Sequence, residues 1–259
     1  MQVVDQIGQE LIFENTPKRI VCLVPSISEL LAHYEPTIEL VGVTRFCEFP
    51  KELRKVKTVV GGTKDPDFKT IKALNPNLVI ANKEENNKED IEQLQQVCPV
   101  YVSDVFSVES AIELVVQLET ILDINIGYQI QNRLNELKNE ISPKLNGTVA
   151  YVIWQNPIMI AGQGTFVNDW LERIGLVNIT SNSRYPTITE NELKQFAPEY
   201  IFLSSEPYPF KEKNLNEFTA HYKVSKVVLV DGRIFSWYGM AMLEANDYFL
   251  DLINKINGN

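Results

Sequence analysis

The chain has 259 residues, 44% hydrophobic and 22% charged, which is enough apolar side chain for one large core or two smaller ones. Its 24 basic and 34 acidic residues give a formal net charge of −10, and no block of lysine and arginine offers the concentrated positive charge that phosphate binding needs, so nucleic acid is not an expected partner. No apolar run reaches the about eighteen residues of a membrane-spanning helix.

The opening MQVVDQIGQELIFEN carries neither the basic start nor the continuous apolar run of a signal peptide. Two locations follow as expectations: the periplasm or cell envelope if a targeting segment has been removed, the cytoplasm if Met1 is the native start. The same residues predict a short hairpin over 2–14. RIVCLVP then reads as a strand, SISELLAHY as a helix capped by Ser28 and ended at Pro36, and IELVGVT as a second strand. KTVVGG predicts a third strand and DPDFKTIKAL a short helix with Asp65 or Asp67 at its start. NLVIA, NKEDIEQLQQV and PVYVSD complete the series as strand, helix and strand. Short apolar strands alternating with helices predict a largely parallel sheet covered on both faces.

From Val108 to Ile141 the period changes. Leu118, Ile121, Leu122, Ile126, Ile130, Leu134, Leu137 and Ile141 form a helical apolar stripe that no proline interrupts, although Gly127 is a place for it to bend or divide. At 1.5 Å per residue a helix of about 30 residues extends roughly 45 Å, enough to act as a beam between two lobes. After Pro143 the alternation restarts. GTVAYVIW and PIMIAG read as strands and TFVNDWLERIG as a helix with Thr165 and Gly175 marking its ends; NELKQFA, EYIFLSS, VSKVVLVDG and MLEANDYFLDLINKI follow as helix, strand, strand and helix. The expected organisation is an N-terminal α/β lobe over 1–106, a long interlobe helix over 107–142 and a C-terminal α/β lobe over 143–259. The lobes echo one another weakly: FKTIKALNPNLVIANKEENNKED and ENELKQFAPEYIFLSSEPYPFKEK each run helix, proline turn, strand and acidic loop. Pro76 and Pro198 sit where a proline can end a helix and lead into a strand.

Several chemistries are absent. Cys22, Cys47 and Cys98 are odd in number and widely spaced, with no C-x-x-C pair, and read as reduced thiols. His33 and His221 share no ligand spacing, so no resident metal site is expected. GQGTFVN places glycines before a helix without a nucleotide-binding fingerprint, although an anion at that helix start stays open. PSISE is not a nucleophile elbow, and Cys47 beside Glu48 has no histidine partner, so the chain is not expected to be an enzyme.

Taken together, RIVCLVPSISELL, ELVGVTRFCEFP, VGGTKDPDFKTIKALNPNLVIANKEEN, the long helix, MIAGQGTFVNDWLERIG and YPTITENELKQFAPEYIFLS resemble the helical-backbone (class III) substrate-binding proteins of ABC importers, the group that includes vitamin B12, ferric siderophore and haem binding proteins. That resemblance spans nearly the whole chain. It implies two α/β lobes with mainly parallel sheets joined by one long helix, a monomer with no permanently bound cofactor, and a metal chelate carried between the lobes to an ABC permease dimer. A corrinoid is the first expectation for that ligand, and a ferric siderophore or haem the alternative. A cytoplasmic chelate-binding or sensing protein without a permease is a further alternative.

The resemblance also places residues. Phe46, Phe49, Phe106, Trp154, Tyr185, Trp237 and Tyr238 fall in loops expected to face the ligand as rigid surfaces, while Arg45 and Arg184 read either as donors to ligand carboxylates or phosphates or as surface arginines paired with local acids. One glutamate per lobe is expected to dock on the permease. On the N-lobe the family position falls at Lys88, one residue before Glu89, which is the first choice with Glu85 as competitor. On the C-lobe Glu212 comes first and Glu206 second. Cys47, Glu48, Phe49 and Pro50 stand where relatives carry a cysteine, histidine and proline triplet, so that loop lacks its best coordinating donor.

Overall fold

The computed structural model describes residues 1–34, 38–125, 127–137, 139 and 141–258, except for the side chains of 127–129 and 131. Pro36 and Ile126 therefore lie outside the described residues. The chain divides into two compact units: Met1–Val105 with Glu109–Asn132 and Tyr238–Met240, and Phe106–Val108 with Arg133–Trp237 and Ala241–Asn259.

In the first unit the predicted hairpin is β1 (Gln2–Val4) paired antiparallel with β2 (Glu10–Ile12). Five further strands, β3 (Arg19–Cys22), β4 (Glu39–Val43), β5 (Thr58–Val59), β6 (Leu78–Asn82) and β7 (Val100–Ser103), form one parallel sheet in the order β5-β4-β3-β6-β7. Every residue of β6 and β7 is buried, as expected of parallel strands covered on both faces. The helices between them are α1 (Pro25–Ala32), α2 (Leu53–Val56), α3 (Phe68–Ala73) and α4 (Lys88–Leu94).

Two helix starts show local chemistry at work. α1 begins at Pro25, whose missing N–H would have been unpaired in the first turn anyway. Ser28 therefore sits inside the helix and donates its hydroxyl hydrogen to the Val24 carbonyl at 2.9 Å, which corrects its reading as the cap. At α3 the choice between two aspartates falls on Asp67, whose carboxylate accepts from the Thr70 N–H at 3.0 Å.

The long helix is α5 (Val108–Leu122), and the helical periodicity beyond it is carried by a separate helix, α6 (Gly127–Glu136). The division follows from the backbone: Asp123 adopts a left-handed φ of 51°, and the Ile124 N–H reaches five residues back to the Glu119 carbonyl at 3.2 Å. Within the stripe Leu118, Ile121, Leu122, Leu134, Leu137 and Ile141 are buried.

The second unit contains β8 (Gly147–Trp154), β9 (Ile158–Ile160), α7 (Phe166–Arg173), β10 (Leu176–Asn178), β11 (Thr187–Ile188), α8 (Glu190–Phe196), β12 (Tyr200–Ser204), α9 (Glu212–His221), β13 (Lys226–Val230), α10 (Gly232–Ser236), a 3-10 turn (Met240–Glu244) and α11 (Ala245–Asn257). Its sheet runs β11-β9-β8-β12-β13, with β10 also pairing β8. β8, β10, β12 and β13 are parallel, while β9 folds back against β8 and β11 against β9. Fully buried Trp170, Phe235 and Phe249 pack on the helical side, with tilted or edge-on ring pairs 4.8–5.0 Å apart. Each such ring contributes about 1.5–3 kcal/mol relative to leaving it in water.

Candidate functional site

In open parallel sheets the loops leaving the carboxyl ends of the strands gather at one edge, and a crevice opens where the strand order reverses. In the first unit that switch point lies between β3 and β6, whose carboxyl ends lead into α1 and into the segment Lys83–Asn87. Tyr238, 5% exposed, donates its hydroxyl hydrogen to Glu85 Oε1 at 3.2 Å, and Gly239 packs beside Ser26 and Leu30 of α1. Burial, and then the Glu85 carboxylate, push the Tyr238 phenol well above its ordinary range. The proposed ligand residue Tyr238 and the docking competitor Glu85 are thus brought together.

The segment around Glu85 is held by its asparagines as well. Asn82, 2% exposed, accepts from the N–H groups of Glu84 and Glu85 at 2.8 and 3.0 Å while its amide donates to the Ser103 carbonyl and hydroxyl. Asn86, 4% exposed, accepts from the Asn82 N–H at 2.8 Å and donates to the Thr63 carbonyl. Asn87 occupies the N-cap position of α4, but its amide donates to the Lys64 carbonyl and to Asp90. Asn82 escaped the sequence reading; its four-residue spacing from Asn86 across a strand end was the available signal. The arrangement presents Glu89 exposed in the first turn of α4, next to Lys88.

The loop after β4 carries Arg45, Phe46, Cys47 and Phe49. Thr44 is buried and its hydroxyl accepts from the Phe46 N–H at 3.3 Å, leaving the Phe46 ring about half exposed. Arg45 pairs with Asp65 at 2.6 Å and lies over the Phe46 ring, 5.2 Å from its centroid. A guanidinium held by one carboxylate and stacked on a ring retains donors for a further acceptor. Phe49 is half-buried. Cys47 is buried, and desolvation raises its thiol pKa despite hydrogen bonds with Ser28 and Thr44, so it stands as a neutral thiol.

In the second unit Trp154 ends β8. Its indole N–H donates to the Asn156 carbonyl at 3.2 Å, Tyr208 meets it edge-on at 5.4 Å, and the ring keeps 39% of its surface exposed. Phe106 is half exposed. Arg184 and Tyr185 lie on a loop pinned to Gly162 and Gln163: the Gly162 N–H donates to the Arg184 carbonyl at 2.7 Å, and the Arg184 N–H to the Gln163 carbonyl at 3.0 Å. Arg184 is exposed with a left-handed φ of 66°, while Tyr185 is half-buried. Behind this loop Thr165 caps α7 by accepting from the Asn168 N–H, and Asn168 bridges Gln163 and Glu172. Trp237 is half-buried with the Arg233 guanidinium 5.9 Å from its ring centroid. Glu212 opens α9 exposed, whereas Glu206 is half-buried and accepts from the Ser236 hydroxyl at 3.1 Å.

Among the described residues no three metal-ligating side chains cluster. The loop residues described above offer aromatic faces and guanidinium donors, groups with which a ligand can be recognised.

Two mainly parallel α/β sheets with the long helix α5 between them in sequence define a binding-protein architecture. Residues 20–227 match the periplasmic binding protein family, and the chain belongs to it, in the class III group of ABC-importer substrate-binding proteins. This is a non-catalytic carrier class of the periplasm or cell envelope. The vitamin B12-binding protein of Vibrio parahaemolyticus is 24% identical over 203 residues, covering 75% of this chain and 74% of that protein. Among solved structures, the periplasmic vitamin B12 binding protein of Vibrio cholerae superposes with a TM-score of 0.77 at 17% identity, covering 94% of this chain and 99% of the other. The periplasmic heme binding protein of the same organism gives 0.69 at 19% identity, covering 91% and 98%.

Proposed function

We propose that this chain is a non-enzymatic receptor for a metal chelate that it delivers to an ABC importer, with a planar macrocycle as ligand and a ferric siderophore as the alternative. The supporting observation is the set of aromatic rings kept partly exposed in loops, Phe46 and Phe106, and at the end of β8, Trp154, where burial against the protein would otherwise be favourable. Relatives named for vitamin B12 and for heme share the fold, so the loops and not the sheets select the ligand.

Between the two macrocycles, a corrinoid brings its own axial ligation, whereas haem commonly takes a protein donor such as histidine or tyrosine. His33 ends α1, and His221, which ends α9 beside the turn after Trp154, is already engaged by Glu190 at 3.2 Å, so Tyr185 is the donor we propose for haem. Titration with cobalamin, haem and ferric siderophores, read by tryptophan fluorescence, tests the proposal. Saturable quenching by one macrocycle supports it; saturation by a siderophore alone moves the assignment to the alternative, and no response to any chelate overturns it. For permease docking we assign Glu89 and Glu212, each exposed in the first turn of a helix, in preference to the half-buried Glu85 and Glu206.

A further inference from the structure

The second unit holds a cavity of about 170 Å³ between the turn after β8, β9 and the helices α8 and α9. It shares the β8–β9 turn with Trp154 but uses none of the residues proposed above for chelate binding. Small-molecule pockets generally start at about 300 Å³, so this one suits a ligand of only a few heavy atoms and not a macrocycle.

Its lining has two chemistries. Ile158, Phe218 and Tyr222 form an apolar floor of buried side chains, the two rings tilted with centroids 5.5 Å apart. Glu190, Glu217 and His221 add partly exposed polar groups: the His221 Nε2 lies 3.2 Å from Glu190 Oε2, and the Lys213 ammonium lies 3.8 Å from Glu217. Tyr222 supplies an independent observation. It is 5% exposed, and its hydroxyl has no hydrogen-bond partner among the described residues, an unusual cost for a buried polar atom. Burial first, and then the Glu190 carboxylate, push the phenol up to about 12, so the hydroxyl lies within the field of a cavity carboxylate.

We propose that this cavity binds a small organic ammonium ion, its carbon stem on the Phe218 and Tyr222 rings and its charge met by Glu190 and Glu217. An ammonium carries donors but no acceptor, so it matches carboxylates, the unpaired phenolic oxygen and the negative faces of the rings together. A carboxylate ligand of the same size would meet two like charges, with the imidazole and the Lys213 ammonium as counter-groups that those carboxylates already engage. Because His221 already contacts Glu190, it competes with the incoming cation.

Titration of the full chain with n-butylammonium, followed by amide NMR shifts, tests the assignment, with butyrate as the opposite-charge probe. Saturable shifts at Gln155, Asn156 and the end of α9 are expected, with E190Q/E217Q weakening binding about tenfold and H221N tightening it. Both variants change partly exposed side chains, and unchanged thermal melting verifies their folding. A Gly-Lys-Gly peptide run alongside distinguishes a free amine from a lysine side chain as the source of the ammonium; saturation by either supports the site. Linear shifts without saturation, equal binding of butyrate, or undiminished binding to E190Q/E217Q would overturn it.

Discussion

Tyr238 and Glu85, 153 positions apart in the chain, share a hydrogen bond of 3.2 Å at the switch point of the first sheet. The segment that the sequence marks as an acidic surface loop is therefore tied to a residue arriving from the far end of the chain. Tyr238→Phe removes the donor and keeps the ring, so packing is preserved. The expected loss is about 1 kcal/mol, with a fall in Tm of about 2–4 °C for a chain of this size. Spectrophotometric titration should show folded wild type and folded Y238F ionising the same number of phenols in the ordinary tyrosine range, because the phenol removed is one held above that range; one phenol fewer in folded Y238F would contradict the burial of Tyr238.

Asn82 makes a stronger test of the same segment. Asn82→Ala strips the acceptor from two N–H groups and leaves the Ser103 hydroxyl with one partner fewer in a buried setting. A destabilisation of about 2–3 kcal/mol is expected in urea unfolding. Amide exchange at Glu84 and Glu85 should accelerate beyond the global change, since those two protons lose their fixed acceptor.

Gly162 explains how Arg184 is presented. A Cβ at this position would stand 2.2 Å from the Asn182 carbonyl oxygen, a contact with backbone that cannot swing away. Gly162→Ala should cost about 1–3 kcal/mol and displace the Arg184–Tyr185 loop. A variant with unchanged Tm and unchanged chelate affinity would show that the loop tolerates the added methyl.

Acid sensitivity should appear at helix starts. The Glu192 carboxylate sits below its ordinary pKa because it accepts first from the Thr189 N–H and then from the Thr189 hydroxyl, completing a capping box on α8. Asp67 is lowered likewise, first by the Thr70 hydroxyl and then by its N–H. A carboxylate lowered in the folded state contributes stability above its unfolded pKa and loses it as pH falls through the folded one. Fraying of α8 and α3 is thus expected to set in as pH falls through the ordinary carboxylate range and to be complete only below it. E192Q should remove the α8 component of that pH dependence, as read by amide exchange across Glu190–Leu193.

Charge reversal at Glu89 and Glu212 tests docking apart from ligand capture. Both side chains are exposed, so E89K/E212K should leave Tm and chelate affinity unchanged. Association with a permease carrying basic pockets should slow and lose its salt dependence. If E85K/E206K weakens association while E89K/E212K does not, the docking assignment passes to the inner pair.

Legibility in the sequence followed the range of the forces. Strand and helix alternation, the Thr165 cap, the αL glycine Gly175 and the family resemblance all rest on neighbours within a few residues, where periodicity and side-chain chemistry act directly. The same proximity explains the miss at Ser28, because Pro25 had already set the helix start three residues earlier. The sequence offered Gly127 as a place for the long helix to divide, and α6 begins there; that the first helix stops at a left-handed Asp123 was not readable, since one such residue outweighs an apolar stripe that continues on both sides.

The site required the tertiary structure. The spacing of Asn82 and Asn86 hints at a local pair, but their burial is decided only when β7 and the Thr63 carbonyl are brought alongside them. Nor does the sequence near Trp237 show that the next ring will be buried on Glu85. Composition and short-range pattern determined two α/β units, their helices and the kind of protein this is. Only folding decided which acids remain at the surface and which rings stay exposed, because burial and hydrogen-bond satisfaction depend on partners that the chain meets a hundred residues away.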